Sequence, residues 1–593
     1  MIQEDEITGK AYDSRLMKRL LSYAAPYRKL ILVGVFLTLM AAFLQLVGPY
    51  LTKMAIDKYI AQKQLSGLYL ILVIYFFALV FLFLTQYAQI YITQYFGQKL
   101  MFDIRSKIFR HIQSLSLSFF DKNPVGRLMT RVTSDVEALN QMFTQGIVSI
   151  FGDIFLLLGI IGALLYLDVR LALWVFIVIP ILFIVSFIFR LKVREAFRLI
   201  RKWVSRINTY VQEHITNMSI VQIFNRTEKN YQIFSDINYE HTKAHVKTVF
   251  YFALFYPVIE FVGAFAIALV IWRGGVFKLE GLTTFGALVA FIQYAQMFFR
   301  PISDLSEKYN ILQQAMASSE RIFKLLDTPV LIRNAENPIE KHNIKGDVVF
   351  KSVYFAYNEP EYVLEDISFN LTSGESVAIV GHTGAGKTTL INILGRQYDI
   401  QRGDILIDDI SLKMWDLDSL RGQIAVVLQD VFLFSGTVSD NIRLGNDQIT
   451  NDTIKWAAQQ VNAHEFIEKL PNGYETLVKE RGVTLSMGQK QLISFARALV
   501  INPRILILDE ATSSVDTETE LLIQSALTTL MQHRTSLIIA HRLSTIKHVD
   551  KIIVMHKGSI REMGTHDELL EKQGLYYQLY LLQYKSQESL INT

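Results

Sequence analysis

The sequence predicts a helical membrane domain followed by an α/β domain with a largely parallel sheet, and three observations predict it. Six stretches in the first half are apolar over about the 20 residues that a helix needs to cross a bilayer. After a polar joint at 328–345 the pattern changes to short strands alternating with helices, as α/β folds require. Within that second region, Gly381-His382-Thr383-Gly384-Ala385-Gly386-Lys387-Thr388-Thr389 fits the phosphate-loop pattern G-x-x-x-x-G-K-[ST].

Composition sets the bounds. At 593 residues the chain exceeds the roughly 250–300 that one hydrophobic core sustains, so it holds several domains. Hydrophobic residues make up 51% and aromatics 12%, a bias toward membrane. A formal net charge of +4 gives no basic field for nucleic acid. The absence of cysteine excludes disulfides, thiolate metal sites and a cysteine nucleophile. The first eight residues are acidic and polar, without the layout of a signal peptide.

Taken in order, 14–30 carries basic and apolar residues at helical spacing and reads as an amphipathic helix lying on the membrane surface. The expected spans follow near 30–51, 68–92, 145–167, 169–190, 249–272 and 284–303. Only Asp168-Val169-Arg170 separates the third from the fourth, which makes them a tight hairpin. Gln293, Gln296 and Arg300 interrupt the sixth. Lys99, Arg105, Lys107, Arg110, Lys122, Arg127 and Arg131 crowd the segment after span two. Lys192, Arg194, Arg198, Arg201, Lys202 and Arg206 crowd the one after span four. Positive charge is retained inside, so both long segments, both termini and the nucleotide domain are expected in the cytoplasm, beneath the cell membrane.

These segments keep helical periodicity, so the spanning helices are expected to continue past the bilayer. Breaks fall at 119–126 and 214–218, where a short transverse helix would form. Asp153 and Glu260 lie inside spans three and five. Each is either a functional acid or a partner in an interhelical hydrogen bond.

Around the phosphate loop, Ser376-Val377-Ala378-Ile379-Val380 reads as a buried strand entering it, and Thr389-Leu390-Ile391-Asn392-Ile393-Leu394 as the helix leaving it. Glycines let successive N–H groups curl round an anion, and the helix N-terminus adds positive potential. Lys387 can reach the outer phosphates of ATP and Thr388 can hold Mg²⁺. Arg504-Ile505-Leu506-Ile507-Leu508-Asp509-Glu510 is an apolar strand ending in two acids. Asp509 is suited to Mg²⁺ and Glu510 to polarising an attacking water.

With these residues the chain resembles the ATP-binding cassette (ABC) transporters, and among them exporters that fuse both domains. Leu485-Ser486-Met487-Gly488-Gln489 resembles the LSGGQ signature, Gln429 the Q-loop, and Ser513-Ser514-Val515-Asp516 the D-loop. His541 resembles the switch histidine and Tyr357 the aromatic that stacks on adenine. Glu480-Arg481-Gly482 matches the end of an exporter motif whose first half departs here. The resemblance implies a type IV exporter fold at 1–327, with six spans and an N-terminal elbow helix. A linker at 328–345 and a P-loop NTPase of the ABC ATPase type at 346–593 would follow. It also implies cassettes that dimerise head to tail. In that arrangement Ser486, Gly488 and Gln489 serve the γ-phosphate bound on the opposite chain, Asp516 of the D-loop is a further nucleotide-binding residue, and His541 touches its own γ-phosphate. Gln429 would contact Mg²⁺ and relay nucleotide state to coupling helices at the two breaks.

One departure matters. The signature's first glycine is Met487, whereas Lys387, Asp509, Glu510 and His541 match the hydrolytic consensus. This combination resembles the MdlB-type multidrug subunit of heterodimeric exporters. There the altered signature completes a degenerate site and the partner's normal signature completes the hydrolysing one. The expected activity is ATP-driven export of amphipathic small molecules or lipids, with a second half-transporter as partner. A homodimeric lipid flippase, a peptide exporter and an ATP-gated regulatory membrane protein are the alternatives.

Overall fold

The computed structural model describes residues 13–479, 482–509, 517–540 and 543–583. Two compact units emerge: Met1–Gln113 with Val125–Thr328, and Ser114–Pro124 with Pro329–Thr593.

The first unit is helical. Asp13 accepts from the backbone N–H of Arg15 and Leu16 and so starts α1 (Ser14–Ala24), the amphipathic surface helix. A turn at Ala25–Tyr27 leads into α2 (Arg28–Met54), and α3 (Leu65–Ser114) follows. The break after α3 is the short helix α4 (Leu117–Lys122). Next come α5 (Val125–Thr130), α6 (Val136–Gln141) and α7 (Val148–Leu167), joined through wide π turns at Arg131–Asp135 and Met142–Ile147. The hairpin at Asp168 is as tight as expected, since its carboxylate caps α8 (Val169–Phe176) through Arg170 and Leu171. Then follow α9 (Val178–Thr216), α10 (Met218–Ile223) at the second break, α11 (Thr227–Leu279) and α12 (Phe285–Leu326).

Among the described residues five helical runs are long and apolar enough to cross a membrane: Ser14–Ile60, Leu65–Ser114, Val125–Leu167, Val169–Thr216 and Thr227–Leu279. The sixth expected span lies in α12, which is continuous, but its apolar part is the shorter Phe285–Phe298. The runs extend well past the bilayer thickness, as the periodicity of the basic segments indicates. Large side chains such as Leu72, Phe76 and Phe77 on α3 are exposed, as on a lipid-facing helix.

Small residues bring α2 and α7 together. A Cβ on Gly152 would meet Thr38 at 2.5 Å, and one on Gly159 would meet Leu46 at 2.3 Å. Tyr294 of α12 donates to the Leu46 carbonyl at 2.6 Å. At the other end of α12, Arg19 of α1 makes a two-pronged pair with Asp327, 2.7 Å on each arm. Buried Asp135 accepts from Arg131, Ser318 and Arg321. Asp153 is bonded to Lys308 of α12, a helix-to-helix pair, whereas Glu260 is exposed on α11.

The second unit has more than the expected parallel sheet. Its strands are β1 (Val348–Phe355), β2 (Leu364–Leu371), β3 (Ser376–Gly381), β4 (Arg402–Ile407), β5 (Ile410–Ser411) and β6 (Ile424–Val427). After them come β7 (Gly436–Thr437), β8 (Leu477–Val478), β9 (Ile505–Asp509), β10 (Thr535–Ile539), β11 (Lys551–His556) and β12 (Ser559–Gly564). The main sheet runs β12-β11-β3-β10-β9-β6, and every pairing from β11 to β6 is parallel. A separate antiparallel sheet, β2-β1-β4-β5, packs its apolar face, including Phe350, Phe355 and Phe369, into a core shared with β3 and the helix after the phosphate loop.

The joint at 328–345 is held rather than loose. Asp408 accepts from the backbone N–H of Lys345, Gly346 and Asp347 and from Lys341 Nζ. Ser114–Pro124 belongs with this unit too, and Tyr398 donates its hydroxyl to Asp121.

Candidate nucleotide site

Because the strands from β11 to β6 are parallel, their C-terminal ends share one edge, where open α/β sheets bind ligands. The phosphate loop leaves β3 there, Asp509 ends β9, and Gln429 follows β6 by two residues. β3 is fixed by the burial of Val377, Ala378, Ile379 and Val380.

At two loop positions both the backbone angle and the lack of space demand glycine. Gly381 has φ +154° and a Cβ there would sit 2.3 Å from the Met555 carbonyl. Gly386 has φ +99° and a Cβ would sit 2.6 Å from Leu364. Gly386 caps α13 (Lys387–Leu394), two residues earlier than the helix read from sequence. His382, Thr383, Gly384 and Thr388 are exposed, and Ala385 and Thr389 are buried beneath them.

Lys387 is 8% exposed, and its Nζ donates to the carbonyls of Gly381 at 2.6 Å and His382 at 3.2 Å. Burial pushes its pKa down, and the Asp509 carboxylate opposes that shift. Asp509 moves the other way. Burial raises it, Lys387 lowers it, and Asp430 raises it further. Lys387 and Asp509 are thus a cation and an acid that steady one another at the end of the sheet.

Tyr357 packs edge-on against Phe355 and Tyr398 at centroid distances of 4.9 and 5.2 Å. Its hydroxyl donates to Thr389 Oγ1 at 3.2 Å and accepts from Asn392 at 3.4 Å, which leaves the ring 39% exposed beside the loop.

Ser486 caps the helix Met487–Val500. Its hydroxyl accepts from Gln489 N–H at 3.2 Å, and Gln489 Oε1 accepts from Ser486 N–H at 3.0 Å. Gly488 is buried, and the Met487 side chain is 47% exposed at the first helical position. The structure therefore groups Lys387, Thr388, Thr389, Asp509 and Tyr357 at the loop, with Gln429 on the same edge. Ser486, Gly488 and Gln489 stand at the head of another helix. Glu510, Asp516 and His541, with Glu480-Arg481, lie outside the described residues.

Arg497 has no counterpart in the sequence reading. It donates to the carbonyls of Asn441 at 2.8 Å and Phe432 at 3.1 Å, which ties the segment after Gln429 to the signature helix. Burial pushes its pKa down. In sequence it is one more arginine on an amphipathic helix, so no signal marked it.

A bundle of membrane-spanning helices fused to a phosphate-loop domain of this topology defines a nucleotide-driven membrane transporter. The family model for the ABC transporter transmembrane region matches residues 31–302, and that for the ABC transporter matches residues 364–513. The chain is 41% identical to the uncharacterized ABC transporter ATP-binding protein YknV of Bacillus subtilis over 98% of this chain and 97% of that one. It is 37% identical to the ATP-dependent lipid A-core flippase of Syntrophus aciditrophicus, over 96% and 95%. A solved bacterial Atm1-family ABC exporter with ATP bound superposes with a TM-score of 0.76 at 27% identity, covering 94% of this chain and 99% of that one. The chain belongs to the ABC transporters, as an exporter half-transporter with its membrane and ATP-binding domains fused. It binds ATP and couples its hydrolysis to transport across a membrane.

Proposed function

We infer that this half-transporter exports amphipathic small molecules or lipids as one subunit of a heterodimer, and that it supplies the hydrolysing phosphate loop. The observation that carries this is the pairing of Lys387 and Asp509 at the phosphate loop with a bulky, exposed Met487 opening the signature helix. A side chain there keeps backbone from approaching a phosphate closely, so the site it completes on the other subunit turns over slowly. The membrane-facing substrate class draws support from likeness to a lipid A-core flippase.

In each cycle the two cassettes close on ATP. Tyr357 stacks on the base, Gly381 to Thr389 wrap the phosphates, and Lys387 turns from the Gly381 and His382 carbonyls toward the outer phosphates. Thr388, Gln429 and Asp509 offer a hydroxyl, an amide oxygen and a carboxylate, hard donors that suit Mg²⁺, which neutralises phosphate charge when bound. Glu510 polarises the attacking water and His541 steadies the γ-phosphate. Asp516 and the signature residues Ser486, Gly488 and Gln489 close the interface with the other subunit. The cassettes and both termini are on the cytoplasmic side, and the domain limits are 1–327, 328–345 and 346–593. Closure turns the membrane helices outward, and hydrolysis resets them.

Purification of the chain alone tests the heterodimer. Slow ATP turnover that rises at least tenfold on adding a second half-transporter from the same membrane is expected. Fast hydrolysis and transport by the chain alone would overturn it.

A further inference from the structure

Arg273 stands in the last turns of α11 between two tryptophans. Its guanidinium carbon lies 4.3 Å from the ring centroid of Trp174 on α8 and 4.7 Å from that of its neighbour Trp272. Packing fixes this placement. Val270 and Gly274 are buried, and a Cβ on Gly274 would run into Leu288 of α12 and meet Leu171 of α8 at 3.4 Å. Arg273, one residue earlier, is therefore held at the rim of the buried face, while Trp272 turns outward.

Arg170 joins the group. It lies four residues before Trp174, on the same face of α8, and it is exposed. Among the described residues no hydrogen bond or ion pair engages either guanidinium, and Arg273 Nε is buried without a partner. The acid between the hairpin helices, Asp168, accepts backbone N–H groups instead. The stretch 285–298 of α12, which passes Gly274 at Leu288, has no acid in its sequence. Indole faces attract a cation but offer its N–H groups no acceptor oxygen.

The place is a membrane boundary. α8 opens the apolar run Val169–Thr216 and α11 closes the run Thr227–Leu279, so these residues share one end of the bundle. Leu173, Ile177 and Ile271 beside them are exposed and apolar. Tryptophan is at home at this level, with its ring in the headgroup region. What the two arginines lack is an anion with several oxygens, and a phosphodiester matches the guanidinium fork. Two positive charges also favour a headgroup without an ammonium of its own.

We propose that Arg170, Trp174, Trp272 and Arg273 form a site for one anionic phospholipid. The arginines take its phosphodiester, and Leu173, Ile177 and Ile271 carry its acyl chains. This lipid is a bound partner at the protein's rim, distinct from whatever the chain exports.

The test titrates the full chain, purified in detergent, with phosphatidylglycerol, phosphatidylcholine and diacylglycerol of the same chains, and counts bound lipid by native mass spectrometry. One phosphatidylglycerol should be held at least tenfold more tightly than either neutral lipid, the value of a charge-assisted hydrogen bond. Arg170→Gln with Arg273→Gln should hold one fewer. Equal binding of phosphatidylcholine overturns the preference for an anionic lipid, and a double variant that keeps every tightly held lipid overturns the site. Displacement of the lipid by millimolar inorganic phosphate would make free phosphate the ligand and overturn the lipid. Melting in lipid-free detergent checks the fold of the double variant. Where that variant does not fold, Arg170→Gln alone, at an exposed position, decides: its affinity for phosphatidylglycerol should fall severalfold, and an unchanged affinity overturns the proposal.

Discussion

Lys387 is buried, and its charge is opposed by that burial and supported by Asp509. A triphosphate adds to the negative charge that Asp509 supplies, so much of its binding free energy enters through this one group. Lys387→Ala should weaken ATP binding at this chain's own site by about a hundredfold, the value of roughly two charge-assisted hydrogen bonds, as read by nucleotide titration. Glu510→Gln should keep binding and lower steady-state hydrolysis at least a hundredfold, and near-normal turnover would remove Glu510 from its assigned role. The phosphate loop was legible from sequence because its glycines answer a local demand, as Gly381 and Gly386 do. Arg497 was not legible, because its value lies in carbonyls of Phe432 and Asn441 that only the fold brings to it.

Elements differ in how plainly their purpose is written. The long membrane helices follow from apolar runs and missing breakers, and the hairpin at Asp168 follows from a capping acid between two such runs. The π turns at Arg131–Asp135 and Met142–Ile147 carry no comparable signal. Neither does the antiparallel sheet, since short strands such as β1 and β4 give no hint of which neighbour they choose.

The anchored joint is the element-scale case that pH can probe. Burial pushes the Asp408 carboxyl up, but the N–H groups of Lys345, Gly346 and Asp347 and the Lys341 ammonium outweigh it and hold it below the ordinary range. A depressed carboxylate stabilises the fold above its unfolded pKa of about 3.9, and that stability fades as pH falls through the folded value. Asp408→Asn should therefore lower the melting temperature of the full chain by several degrees at pH 7, the effect of about 2 kcal/mol. The difference from the unsubstituted chain should shrink below about pH 4, and a pH-independent difference would count against this anchor.

For the whole molecule, the sequence made the order of domains and the family plain, because the motifs recur in one order along nearly the entire chain. The proposed heterodimer depends on a surface that a lone chain leaves open, and Met487 is the residue of the sequence that suggests it. Met487→Gly tests this in the intact assembly. On the proposed heterodimer it should raise hydrolysis severalfold at the nucleotide site that this signature would complete on the partner, with the rate at the other site unchanged, as read by site-resolved trapping of labelled nucleotide. No change at either site would leave the methionine without a role in turnover.

Ser114–Pro124 is encoded ahead of most of the membrane helices yet belongs to the ATPase body, with Asp121 receiving the Tyr398 hydroxyl. A recombinant fragment begun at residue 329 would omit that piece and uncover Tyr398, inviting clumping in solution. Grafting the missing peptide back onto such a fragment should restore its solubility.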